Sequence, residues 1–217
     1  MLEISPCTHK WIWSMIFVRI PKNASTSIYN HLGDLNLIHK HKKEFDRYLK
    51  DKTYRNWFSP THAKPDEISL VMGNMIHNYM SFAVVRNPWD RAISMYEFAL
   101  KNDLGKLYKM DSQMTFAEFC ELMMVKYEEQ DKNFIAIHDQ SSWLEGMFTP
   151  NFVLRFESLK TDFSGMLEDC NINHIVPNLP HDNSSKRGHY HDYFDFKSKR
   201  TVEKIFERDI DMFKYKY

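Results

Sequence analysis

The chain has 217 residues, 43% hydrophobic and 15% aromatic, which is enough for one well-packed domain and excludes a disordered tether. Its net charge is zero and its pI about 7.2, so no global field favours nucleic acid or a membrane surface, and anion binding must come from local clusters. Cys7, Cys120 and Cys170 are scattered, without CxxC or Cys/His ligand spacing, which argues against zinc and for reduced thiols.

Residues 1–14 read as a short extension. They are mixed in character, with Glu3, His9 and Lys10, and form neither a signal peptide nor a membrane anchor. The apolar run from Met15 to Ile20 predicts a strand over 15–20 that ends at Pro21. Ile28, Tyr29 and Leu32 then fall at helical spacing and predict a helix over 25–33. Such a junction aims backbone N–H groups and a helix dipole at one spot, which suits a phosphate or sulfate. Lys22 adds a cation, and Ser25, Thr26 and Ser27 add hydroxyl donors. The loop has no glycine, so it is not the GxxxxGK[ST] loop of nucleotide triphosphatases. The plain alternative is an ordinary strand–helix connection with a Ser/Thr N-cap.

Further along, helices are predicted over 43–50 and 65–72, with a weaker strand near 57–60. The basic run His39 to Lys43 is either a solvated face, the commoner case, or one wall of a cleft for an acidic sugar chain. Phe82 to Val85 is a continuous apolar run, as in a buried parallel strand over 80–85. Arg86 stands at its carboxyl end, where open α/β sheets bind ligands. Asn87 and Pro88 are a good N-cap and first residue for a helix over 88–102, which carries Arg91, Ser94 and Tyr96. Arg86 and Ser94 can grip a second phosphate; the alternative is that Arg86 and Arg91 only pair with acids such as Asp90 or Glu97.

Thr115 and Glu118 form a capping box for a helix over 115–127, and the Met and Phe residues at 114–124 read as core filling. A strand over 152–156 and helices over 157–169 and 198–213 complete the series. His77, His138 and His174 read as structural or surface residues, whereas His189 and His191 flank a late basic loop. There is no internal repeat. The strand–helix alternation argues for an α/β fold with a parallel sheet.

Pro21-Lys22-Asn23-Ala24-Ser25-Thr26-Ser27 resembles the 5′-phosphosulfate loop of sulfotransferases that use 3′-phosphoadenosine 5′-phosphosulfate. Arg86-Asn-Pro-Trp-Asp-Arg91-Ala-Ile-Ser94-Met-Tyr96 resembles their 3′-phosphate motif. The nearer resemblance is to the carbohydrate group, including the heparan sulfate 2-O- and 6-O-sulfotransferases. Thr61-His62-Ala63-Lys64-Pro65-Asp66-Glu67-Ile68 is similar to the segment carrying the catalytic base in the 6-O enzymes. Gln140 stands where the family has a recurrent glutamine, and Phe152 to Leu159 resembles its late strand. Ser184-Ser185-Lys186-Arg187-Gly188 resembles the basic loop over the donor. The tail, with Tyr190, Tyr193, Val202, Ile205, Asp209, Ile210 and Phe213, matches the closing helix. The stretch 100–135 carries no motif of the family.

The resemblance implies a three-layer fold like that of P-loop nucleotide triphosphatases, in a single domain over 1–217. It implies sulfuryl transfer to an acceptor hydroxyl, with a glycan favoured, His62 as base and Lys22 as catalytic cation. The donor would meet Lys22, Asn23, Ala24, Ser25, Thr26, Ser27, Arg86, Ser94, Lys186, Arg187 and Gly188. The product would be 3′-phosphoadenosine 5′-phosphate (PAP), with no metal and no nucleic acid involved. Golgi relatives carry a membrane anchor that residues 1–14 do not supply. That leaves a cytoplasmic bacterial or viral enzyme, or a chain trimmed to a domain that works in the Golgi lumen. Asn23-Ala-Ser and Asn183-Ser-Ser are glycosylation sequons, and a sugar on Asn23 would block the loop. Two other readings stay open: a P-loop-type kinase, and a non-catalytic relative that binds nucleotide or glycan.

Overall fold

The computed structural model describes residues 15–33, 36, 43, 62–101, 110–111, 113–173, 176, 179 and 188–217. The expected helix over 43–50 (apart from Lys43), the strand near 57–60 and the basic run before Lys43 lie outside these residues. The chain forms two compact units, one from Met1–Val85 and Trp143–Asn183, the other from Arg86–Ser142 and Ser184–Tyr217.

The first unit holds the sheet. Strands β1 (Met15–Val18), β2 (Met80–Val85) and β3 (Phe152–Arg155) are all parallel, in the order β1-β2-β3. The apolar runs of β1 and β2 follow from burial on both faces: Met15 to Val18 and Phe82 to Val85 are all buried, whereas in β3 only Leu154 is. The register sets Phe17 opposite Phe82 and Phe82 opposite Phe152. Phe17 and Phe82 therefore stack, with centroids 4.7 Å apart and planes 6° from parallel. Helix α1 (Ser25–Leu32) brings Ile28 and Leu32 to the same core, and helix α5 (Leu159–Asp169) brings Phe163, Met166 and Leu167. Phe163 meets Phe82 edge-on at 6.1 Å. This is the expected α/β arrangement, a parallel sheet flanked by helices. Helix α2 (Pro65–Met72) has Pro65 at its first turn, Asp66 and Glu67 facing its dipole, and Gly73 at its C-cap with φ of +57°.

The second unit is helical. Helix α3 (Pro88–Lys101) starts where the Asn87-Pro88 pair predicts, with Asn87 Oδ1 accepting the N–H groups of Trp89 at 3.0 Å and Asp90 at 3.4 Å. Helix α4 (Phe116–Glu128) carries the expected capping box. Glu118 Oε2 accepts from Thr115 N at 2.7 Å, while Thr115 Oγ1 accepts from Glu118 N at 3.3 Å. Phe116, Phe119 and Met123 are buried, as core filling requires. The expected helix over 198–213 is two helices, α6 (Phe196–Ile205) and α7 (Glu207–Phe213). Phe206 breaks the run: it is buried with φ −112° and ψ 27°, outside helical geometry. The start lies earlier than expected because Asp195 caps α6 through Ser198 N at 2.7 Å.

Candidate active site

The loop after β1 is built without glycine, yet Lys22 (φ 69°) and Ala24 (φ 57°) both adopt the left-handed conformation. For residues with a Cβ this costs about 1 kcal/mol each and persists only where surroundings enforce it. The enforcing group is Asn23. It is 1% exposed, and its Nδ2 donates to the Val84 carbonyl of β2 at 2.7 Å. The Ser/Thr cap of the plain alternative is not used. Ala24 is the N-cap, and no side-chain hydrogen bond closes the start of α1. Its residue type could not announce this, because the left-handed turn, and not a hydroxyl, sets the chain direction. Ser25 is buried, Lys22 and Ser27 are half-buried and Thr26 is exposed. Two left-handed residues, either side of Asn23, leading into an uncapped helix start suit the presentation of backbone N–H groups to an anion.

His62 is tied to the same stretch of backbone. Its Nδ1 lies 2.7 Å from the Arg19 carbonyl, three residues before Lys22. A carbonyl only accepts, so Nδ1 carries the proton, and in the neutral ring Nε2 is the basic nitrogen. His62 is half-buried and the next residue, Ala63, is fully buried. The Arg19 guanidinium lies 4.6 Å from the Tyr29 ring centroid, and burial pushes its pKa below the ordinary value, against the field of Tyr29.

In the second unit the backbone of Arg86 is gripped by Gln140, which is fully buried. Gln140 Oε1 accepts from Arg86 N at 2.8 Å, and Nε2 donates to Arg86 O at 2.9 Å. Gln140 is itself held by Asp209, whose two oxygens accept from Gln140 N at 2.8 Å and Ser141 N at 2.9 Å. The Arg86 guanidinium pairs with Asp90 Oδ2, at 2.7 Å from both Nε and Nη2. This is the acid pairing that a structural arginine would make. Arg91 donates Nη1 to the His138 carbonyl at 2.9 Å. Burial lowers the Arg91 pKa to about 10, against the fields of Asp209 and Asp139. Ser94 is half-buried on α3. Asn87 Nδ2 donates to the Lys216 carbonyl at 3.3 Å, so the chain end braces the start of this helix.

Lys22 to Ser27 and His62 thus belong to the first unit, and Arg86, Ser94 and Gly188 to the second. Lys186 and Arg187 lie outside the described residues. His189 and His191 are exposed, and His191 stacks on Tyr217 at 4.4 Å. His77 is exposed, and His138 Nε2 sits 3.0 Å from the Lys132 carbonyl.

The sequence model of the sulfotransferase family matches residues 13–216. The chain belongs to the sulfotransferase family. No curated relative and no solved structure matches it. Membership makes it a transferase of sulfuryl groups with an acceptor substrate, and the family's fold is P-loop-like. Among the described residues of this sulfotransferase, no group of three or more His, Cys, Asp or Glu side chains is placed to hold a metal ion. None of their helices is long and apolar enough to cross a membrane.

Three interactions of this family member escaped sequence reasoning. Asn23 reads as a donor contact and a sequon, although its amide nitrogen is spent on the Val84 carbonyl. Trp143 carries no reading of its own, and its Nε1 donates to the His62 carbonyl at 3.0 Å. Asp209 left a readable signal. It lies four residues after Ile205 and four before Phe213, on the apolar stripe of the tail, where a carboxylate needs buried donors.

Proposed function

We propose that this sulfotransferase moves a sulfuryl group from 3′-phosphoadenosine 5′-phosphosulfate to a hydroxyl, with a carbohydrate as the favoured acceptor. The observation that carries the reading is the tie between His62 and the loop. A ring with a defined basic nitrogen hangs from the backbone three residues before a cation in a glycine-free anion loop.

In the transfer, the acceptor oxygen bonds to sulfur as its proton passes to His62 Nε2. The bond from sulfur to the bridging phosphate oxygen breaks, and that oxygen keeps the electron pair as PAP leaves. Lys22 and the N–H groups of residues 24–27 stabilise the developing charge, the Asn23 N–H being turned to the Ile20 carbonyl at 3.4 Å. This resembles phosphoryl transfer, where positioning and electrostatics do most of the catalysis. Arg86 and Ser94 would hold the 3′-phosphate, with Lys186, Arg187 and Gly188 contributing as in the family's basic loop. The grip of Gln140 on the Arg86 backbone supports this role, because a rigid arginine loses less freedom on binding an anion. The missing Gly-Lys-Ser/Thr loop weighs against a kinase.

A thermal-shift comparison of donors tests the reading. PAP should raise the melting temperature far more than AMP or magnesium ATP, and Arg86→Ala should erase most of that preference. Equal or greater stabilisation by magnesium ATP would overturn it in favour of a kinase.

A further inference from the structure

We infer that Trp143 is the positioning residue of the His62 base, an inference that rests on the role of His62 proposed above. A buried indole N–H needs an acceptor wherever it lies. Here the acceptor is the backbone carbonyl of His62 itself, at 3.0 Å, from an indole with no exposed surface.

Other contacts join the same two segments. The Lys64 ammonium lies 4.7 Å from the centroid of the Trp143 ring. The Met147 N–H donates to Asp66 Oδ1 at 2.6 Å. The preceding Gly146, at φ +141°, comes so close to the Asp66 carboxylate that an added Cβ would collide with it. The stretch 143–147 is thus fastened along 62–66 at its start, middle and end. The Glu67 carboxylate holds Lys64 N at 2.8 Å and stiffens the same segment from within.

His62 is consequently held at two points. Trp143 fixes its backbone, and the Arg19 carbonyl fixes its ring through Nδ1 at 2.7 Å. The second contact is short and directional, so it depends on the first. A His62 backbone free to shift would lengthen Nδ1···O, and the ring would then sample the other tautomer, in which Nε2 bears the proton and cannot accept one. The Arg19 carbonyl also favours the imidazolium that forms during transfer, since the Nδ1–H bond strengthens with positive charge. Trp143 never touches the reacting atoms; it acts through the state of the imidazole.

The test is the tautomer of His62, read by long-range proton–nitrogen NMR on the full chain and assigned against His62→Gln. The wild type should show Nδ1–H. Trp143→Phe removes the N–H, and replacement of Trp143 by benzothienylalanine removes it while keeping the bicyclic shape, so a packing defect cannot imitate the result. Both should show mixed tautomers. Turnover on de-O-sulfated heparan should fall about tenfold, the worth of one well-made hydrogen bond, with PAP affinity within about twofold of wild type. An unchanged tautomer in the benzothienylalanine protein overturns the inference while leaving the base intact. Full turnover by His62→Ala overturns the base itself, whatever the ring spectra show.

Discussion

Replacing Asp209 by asparagine should cost about 2–4 kcal/mol, because a buried N–H group loses its carboxylate acceptor and the buried Arg91 loses one of the two carboxylates, with Asp139, whose fields favour its charge. Asp209 has no exposed surface and accepts two backbone N–H groups, from Gln140 and Ser141. Asparagine can accept one of them but turns its own N–H₂ toward the other, so one charge-assisted bond becomes a clash of donors. Arg91 makes the loss larger. Its guanidinium is 1% exposed, and the Asp209 field is the leading influence that keeps it charged against burial. Urea unfolding followed by tryptophan fluorescence would measure the change, and a melting-point drop of roughly 10 °C should accompany it. Adding Arg91→Met should recover part of the loss, because the cation that needed the carboxylate is gone. A cost below about 1 kcal/mol for Asp209→Asn, or strict additivity in the double variant, would refute the reasoning.

Cys120 should resist iodoacetamide at pH 8 in the folded chain and react once it is unfolded. Burial, helped by the fields of Asp195 and Glu121, pushes its thiol up to about 12, and the thiolate is the nucleophile; peptide mass spectrometry showing rapid native labelling would contradict this. Ala24→Gly should raise stability by about 1 kcal/mol, since glycine adopts the left-handed conformation at φ 57° without the Cβ penalty. Chemical denaturation that finds the glycine variant less stable by a similar amount would show that the Ala24 methyl matters more than its strain.

The sheet was legible because each strand has a short apolar run at its heart: those expected over 15–20, 80–85 and 152–156 appear as Met15–Val18, Met80–Val85 and Phe152–Arg155. Local side-chain chemistry likewise marked the Asn87 and Thr115 caps. What stayed hidden depends on partners distant in sequence. The loop read as an anion site, but not as one capped by a left-handed alanine, since the anchor is a carbonyl sixty-one residues from Asn23. The break at Phe206 was masked because Val202, Ile205, Phe206 and Phe213 keep helical spacing across it. Gln140 was placed by family resemblance, whereas its grip on the Arg86 backbone emerges only from the fold.

The hydrogen bond from Asn23 to Val84 also bears on how the protein is best produced. In a host that glycosylates chains as they emerge, Asn23-Ala-Ser is offered to the glycosylation machinery before β2 has been made. A glycan attached at that moment occupies the same nitrogen that must later reach the Val84 carbonyl, at a position with almost no exposed surface. Modification and folding then compete for one atom, and every chain on which modification wins is barred from closing the junction of β1, β2 and α1. A cytosolic bacterial host removes the competitor. In a secretory host, Ser25→Ala deletes the sequon while leaving the amide free to make its bond.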